Sequence, residues 1–320
     1  DMKTTITDYT FPDLEIERGI LEPLGCEVLA GQCKTPEALI YLTSDADYVI
    51  TQFAPLDAAV IESMQKAKII VRYGIGYDNV DCEATRAKQI PVCNIPDYCI
   101  DEVADHTLAF ILSMTRSLRA NCAYMMKGNW GLGVGLEEMR SLRDQTVGIV
   151  GLGRIGKAVA TRLRGFGGQT LASDPVVSAS DASLLGCKLV GLEELLAESD
   201  IVTLHCPSSE QTRNIINENS LKKMKPGAIL INVGRGDLVD LTALTDALET
   251  KHLGAAALDV FNPEPLPGDS PLLQMNNVIV SSHIASASPK ASRALRETAA
   301  NLVVKAITGE PLPNVVNGVS

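Results

Sequence analysis

The chain has 320 residues, 46% of them hydrophobic and 21% charged, which is ample apolar material for two domain cores and argues against an intrinsically disordered chain. Its 39 acidic residues against 28 lysines and arginines leave a net charge of −11. That speaks against a nucleic-acid or acidic-membrane surface, which needs a basic face, and confines anion binding to focused sites such as a helix N-terminus or a single arginine.

No apolar run approaches a membrane span, and the opening DMKTTITDYTF lacks the apolar stretch of a signal peptide, so Met2 is the expected natural start. Eight cysteines are scattered without a C-x-x-C pair, and the four histidines show no ligand spacing with them. The expectation is reduced thiols in a cytoplasmic protein, with no metal site.

Short apolar runs alternate with helical patterns. The early strand candidates are KTTITD (3–8), CEVLA (26–30), DYVIT (47–51), KIIVRYG (68–74) and PVCNI (91–95), and LDAAVIESMQ (56–65) has helical spacing. This alternation predicts an α/β fold of parallel sheets with helices on both faces. Residues 101–127 depart from it as one long helical stretch with an acidic opening, which reads as a bridge between two domains. After GNWGLGVG (128–135) a second series runs through TVGIVGLGRIG, SDIVTLHCP, GAILINVGRG, AAALDVF and NVIVSSHIA, and a last helix is expected over 289–308.

The sharpest local signal lies at 146–174. A strand at 146–150 runs into Gly151-Leu-Gly153-Arg-Ile-Gly156, then a helix, then a strand ending at Asp174. Gly151 permits the tight turn, Gly153 lets the backbone approach a pyrophosphate, and Gly156 lets the helix pack against the strand. The helix N-terminus offers N–H groups to phosphate. Asp174 can accept from ribose hydroxyls and would repel a 2′-phosphate, which favours NAD over NADP.

With that unit placed, the chain resembles the D-isomer-specific 2-hydroxyacid dehydrogenase family. The likeness is carried, in order, by VRYGIGYDNVD (71–81), VADHTLAFIL (103–112), GLGRIG (151–156), LHCP (204–207), NVGRGDLVD (232–240), ALDVFNPEP (257–265) and SSHIA (281–285). It implies two doubly wound parallel-sheet domains. A Rossmann NAD-binding domain would span 101–286, and a discontinuous flavodoxin-like substrate domain would comprise 1–100 and 287–320. It also implies a cleft site, a homodimer, and hydride transfer between NAD and C2 of a small D-2-hydroxy or 2-keto acid.

Reducing a keto acid requires that its carboxylate be held, its carbonyl polarised and a proton delivered to oxygen. Arg235, in a glycine turn after an apolar strand, suits the first two tasks because a guanidinium fork matches a carboxylate. His283 suits the third, histidine titrating near neutrality with an unperturbed pKa of roughly 6.5. Composition alone would leave Glu264 an exposed loop residue; the resemblance makes it the partner that orients His283 and favours its charged form.

The resemblance further implies cofactor contacts at Ile75, Thr107, Arg154, Ile155, Cys206, Pro207, Val233, Gly234, Arg235, His283 and Ser286, with Asp259 at the nicotinamide carboxamide. Substrate contacts are implied at Arg72, Tyr73, Gly74, Ile75 and Arg235, and Tyr73, Tyr98, Met125 and Met126 are candidate specificity positions. No acid/base task is expected of His106 or His205. The alternative reading is a non-enzymatic, NAD-sensing, corepressor-like dimer. Against it, Ser286 stands where those relatives carry an aromatic residue.

Overall fold

In the computed structural model, which describes residues 1–320, the chain divides into two compact units: Asp1–Tyr98 with Ser288–Ser320, and Cys99–Ala287. Each is built on one parallel sheet.

In the first unit, β1 (Met2–Ile6), β2 (Cys26–Ala30), β3 (Tyr48–Thr51), β4 (Ile70–Arg72) and β5 (Val92–Cys93) lie in the order β2-β1-β3-β4-β5. A sheet covered on both faces needs apolar residues on both, and YVIT of β3 is buried throughout. Ile50 and Val71 point to the core shared with α1 (Glu15–Leu21) and α12 (Pro289–Thr308). Val49 and Ile70 point to the opposite core, under α2 (Pro36–Thr43) and α3 (Ala58–Ser63).

The helix expected at 289–308 is α12. It starts where Ser288 Oγ accepts from the Ala291 amide and Pro289 takes the first turn, and it stops at left-handed Gly309. A buried ion pair, Arg296 Nη2 to Glu17 Oε2 at 2.8 Å, fastens α12 to α1.

The second unit has seven parallel strands: β6 (Thr146–Val150), β7 (Gln169–Ser173), β8 (Cys187–Leu189), β9 (Ile201–Leu204), β10 (Ala228–Asn232), β11 (Leu253–Leu258) and β12 (Val278–Val280). Their order is β12-β11-β10-β9-β6-β7-β8, so the winding reverses between β6 and β9. At such a switch point the loops diverge and leave a crevice outside the strands' carboxyl ends.

The single bridging helix expected over 101–127 is not found. α5 (Ile100–Thr115) ends before Ser117, whose φ of +45° breaks the helix, and α6 (Leu118–Met126) starts afresh. α5 belongs to the second unit, packed on α7 (Arg154–Leu163) and on β10, β11 and β12. Its acidic opening has a local partner: Arg162 of α7 bonds Asp101 at 2.9 Å and Asp105 at 2.8 Å.

Candidate active site

The dinucleotide turn can be tested for fit residue by residue. Gly151 has φ +93°, and a Cβ there would stand 2.6 Å from the Cys206 amide nitrogen. At Gly156 a Cβ would meet the Gly151 carbonyl at 2.1 Å, so only glycine lets α7 approach the turn this closely. At Gly153 a Cβ would meet nothing within 4 Å. That open face lies beside the start of α7, whose N-cap is Gly153 and whose first amides take no side-chain cap. Arg154 is exposed and Ile155 half-buried. A cradle of bare backbone amides at a helix start suits a pyrophosphate.

Asp174, at the end of β7, is already at work. Its Oδ2 accepts from the Leu152 amide at 2.7 Å, and Oδ1 from Val176 at 2.8 Å and Val177 at 3.1 Å. Burial alone would raise its pKa, but these amides and Lys157 outweigh it and hold the carboxyl below its ordinary range. It stays ionised, with acceptor capacity left for a ribose hydroxyl.

Across the switch point, His205 follows β9. Burial pushes its pKa down to about 3, so the ring is neutral, and Nε2 bonds Thr203 Oγ1 at 2.8 Å. Burial likewise pushes the Cys206 thiol up to about 11, which suits a packing residue and not a nucleophile. Pro207 beside it is exposed.

The remaining loops bring Arg235, Glu264 and His283 into one neighbourhood. After β10, buried Asn232 shapes the turn: its Oδ1 accepts from the Gly234 amide at 3.1 Å and its Nδ2 donates to the Arg235 carbonyl at 2.9 Å. Val233 is buried there, and Gly234 and Arg235 are half-buried. A Cβ on Gly236 would lie 1.9 Å from the Phe261 carbonyl, so this turn rests directly on the loop after β11. In that loop the Phe261 amide donates to Glu264 Oε1 at 2.9 Å, while Glu264 Oε2 meets His283 Nδ1 at 3.0 Å. Burial would raise the Glu264 pKa; the His283 bond, the Phe261 amide and the charge of Arg235 lower it further, and the net result is below the ordinary range. His283 itself has φ +58°, a left-handed backbone uncommon outside glycine and, at a candidate site, a sign of functional constraint.

What holds that backbone is Asp259. Its side chain is 0% exposed. Oδ1 accepts from Ser281 Oγ at 2.6 Å and the Ile284 amide at 2.9 Å, Oδ2 from the Ala285 amide at 2.9 Å, and its carbonyl from the His283 amide at 2.8 Å. These bonds make it the anchor of the loop carrying His283 and half-buried Ser286. Ser281 has one hydroxyl proton and spends it on Asp259, so it accepts from His106 Nε2 at 3.1 Å. His106, Ser281 and Asn232 are thus supporting residues that sequence reasoning gave no task.

Two further candidates have buried side chains. Thr107 is 0% exposed, its hydroxyl donating to the Val103 carbonyl at 2.8 Å. Tyr73 is 1% exposed, and its hydroxyl donates to Glu17 Oε1 at 2.9 Å. Neighbouring Arg72, 5% exposed, lies over the Phe53 ring at 5.3 Å and donates to the Tyr73 carbonyl. Gly74 leaves room for it, since a Cβ would stand 1.6 Å from Arg72 Nη1. The Ile75 carbonyl accepts from Asn94 Nδ2 at 2.8 Å.

Read along the sheet, the loops follow the strand order: His283 after β12, Asp259 and Glu264 after β11, Arg235 after β10, Cys206 after β9, the glycine turn after β6 and Asp174 after β7. Six adjacent strands span roughly 24 Å at the usual inter-strand spacing, ample for an extended dinucleotide.

Known proteins share this fold and much of this sequence. The sequence model for the NAD binding domain of the D-isomer specific 2-hydroxyacid dehydrogenases matches residues 108–285. A glyoxylate reductase of Korarchaeum cryptofilum is 38% identical over 299 residues, 92% of this chain and 87% of that protein. A D-3-phosphoglycerate dehydrogenase of Mycobacterium tuberculosis is 38% identical over 284 residues, 88% of this chain; the chain spans about half of that protein's length, 53%. In structure, D-lactate dehydrogenase from Aquifex aeolicus, complexed with NAD and lactic acid, superposes with a TM-score of 0.89 at 29% identity, over 99% of this chain and all of that one. The seven-stranded unit is therefore an NAD-binding domain, and the chain belongs to the D-isomer specific 2-hydroxyacid dehydrogenase family.

Proposed function

We propose that this protein reduces a small 2-keto acid to the D-2-hydroxy acid with NADH, and catalyses the reverse with NAD. The observation that carries the reading is the Glu264–His283 bond at 3.0 Å, beside the Arg235 turn and on the same sheet edge as the dinucleotide cradle. The cofactor, when bound, supplies or accepts the hydride at C2. Arg235 holds the carboxylate and draws electron density from the carbonyl. With Nδ1 held by Glu264, the proton that reaches the carbonyl oxygen comes from Nε2 of His283; in the reverse direction Nε2 takes it back. Glu264, kept ionised, stabilises the charged ring that donates. The backbone of 73–76 is our candidate for substrate contact, and Ile75, Thr107, Asp259 and Ser286 are our candidate cofactor contacts.

The protein is proposed to act as a homodimer. Met126 is 87% and Trp130 88% exposed, and Leu118, Met125, Leu132 and Leu136 near them in the chain are exposed too, an apolar arm suited to a second copy. This arm, rather than a substrate pocket, is the task we assign to Met125 and Met126. The eight free cysteines suit a reducing compartment such as the cytoplasm, and no helix is long and apolar enough to cross a membrane. The Glu264–His283 pair favours catalysis over the cofactor-sensing alternative.

The test is NADH oxidation with a panel of 2-keto acids. Arg235→Ala and His283→Ala should each lower kcat/KM by about 100-fold or more while NADH still binds. Undiminished turnover by a folded Arg235→Ala protein would overturn the assignment.

A further inference from the structure

We propose that His106 is a positioning residue for the proton-transfer step: through the Ser281 hydroxyl and the Asp259 carboxylate it fixes the loop that presents His283. This rests on the dehydrogenase reading above.

The loop needs such a hold. It leaves β12, an edge strand of three residues, and reaches His283 with φ +58°, a left-handed backbone that the surroundings must maintain. The support converges on Asp259, whose two oxygens accept from the Ser281 hydroxyl at 2.6 Å and from the Ile284 and Ala285 amides, each at 2.9 Å. The direction of an amide N–H is set by the chain. The hydroxyl is a rotor with one proton and two lone pairs. His106 Nε2 stands 3.1 Å from Ser281 Oγ and donates to it, which leaves the hydroxyl proton facing Asp259. Each bond of the chain polarises the next.

His106 itself belongs to the scaffold. It lies within α5, and its ring meets Phe110, one turn further on, edge to face at 4.5 Å. The preceding residue, Asp105, bonds Arg162 of α7 at 2.8 Å, and α5 packs along β10, β11 and β12. The chain of bonds therefore runs from a braced helix to a loop that has only short-range supports of its own.

The Arg235 turn has a separate hold in Asn232, whose side chain bonds the Gly234 amide and the Arg235 carbonyl. Loss of the His106 bond should then slow proton delivery and spare the grip on the substrate carboxylate. General loosening of the unit would disturb both.

The experiment follows NADH-dependent reduction of glyoxylate and pyruvate, with hydrogen exchange over 281–286 measured beside it. His106→Leu removes the donor and keeps bulk, His106→Gln returns an N–H donor at the reach of Nε2, and Ser281→Ala removes the relay. His106→Leu should lower kcat about tenfold with the KM of both keto acid and NADH within about twofold of wild type. His106→Gln should recover most of the loss. Ser281→Ala should match His106→Leu, and the two together should lose no more than either alone, as residues acting in one chain do. Exchange at the Ile284 and Ala285 amides should quicken about tenfold in His106→Leu and stay near wild type in His106→Gln. If His106→Leu does not fold, His106→Asn takes its place, since its amide falls where Nδ1 stands and misses Ser281. Wild-type kcat without the donor, losses that multiply, or no recovery in His106→Gln overturns the proposal. If wild type reduces neither acid, the dehydrogenase reading falls and exchange alone decides: quickened exchange keeps the positioning role, and unchanged exchange ends it.

Discussion

At the residue scale the proposed mechanism turns on Glu264, whose Oε2 meets His283 Nδ1 at 3.0 Å. Its depressed pKa has a definite sign. A carboxyl whose folded pKa lies below its ordinary value, 4.5, stays charged through that value and is neutralised only as pH falls further. The carboxylate end of its bond to His283 then stays charged above the ordinary glutamate range. We expect the acid limb contributed by this group to the pH profile of keto-acid reduction to lie below pH 4.5. Glu264→Gln, which keeps the shape and loses the charge, should lower kcat by on the order of 100-fold with little change in the KM for NADH. A profile of wild type and variant in parallel checks both, and a variant as fast as wild type would remove Glu264 from the mechanism.

At the scale of elements, close backbone approach decides whether the loops work together. A Cβ at Gly236 would lie 1.9 Å from the Phe261 carbonyl, backbone against backbone, with no flexible side chain to yield. Gly236→Ala should therefore push the Arg235 turn off the Glu264 loop and cut kcat/KM by about 100-fold, since displacements of order 1 Å cost that much. Gly153→Ala is the control of opposite kind. Its Cβ meets no protein atom within 4 Å, so the melting temperature should stay near that of wild type while the KM for NADH rises about tenfold. If both variants lost stability alike, neither glycine would have the role given to it.

This contrast marks what the sequence could and could not disclose. The glycine turn and Asp174 were legible because their logic is local: fixed spacing within one βαβ unit dictates the geometry. The strands were legible because burial on both faces demands runs such as YVIT. The His106–Ser281–Asp259 chain was not, since it joins positions 175 residues apart and depends on where α5 packs. The burial of the Thr107 and Tyr73 side chains was not legible either, since a motif tells which residues recur and not which way a side chain turns. The break at Ser117 was hidden too, because helical periodicity runs through it and a single left-handed residue leaves no composition signal.

At the scale of the whole molecule the acidic net charge and the apolar arm pull against each other. A chain of −11 repels its copies, so stable self-association needs apolar surface well beyond the scattered exposed residues of ordinary monomers. The segment from α6 through Leu136 supplies it: Leu118, Met125 and Met126 on the helix, Trp130, Leu132 and Leu136 after it, all exposed. Burying Trp130 and Met126 against a partner removes their large apolar areas from water, at about 25 cal/mol per Å². Met126→Glu with Trp130→Glu adds charge at the centre of that surface and four further negative charges per dimer, so salt should only partly restore association. We expect the wild-type chain to sediment as a dimer at micromolar concentration, and the double variant as a folded monomer with a lower, concentration-independent melting temperature. Because Glu264 and His283 lie on other loops, NADH binding should survive in that monomer. A wild-type chain that sediments as a monomer would refute the dimer and leave the arm without an assigned partner.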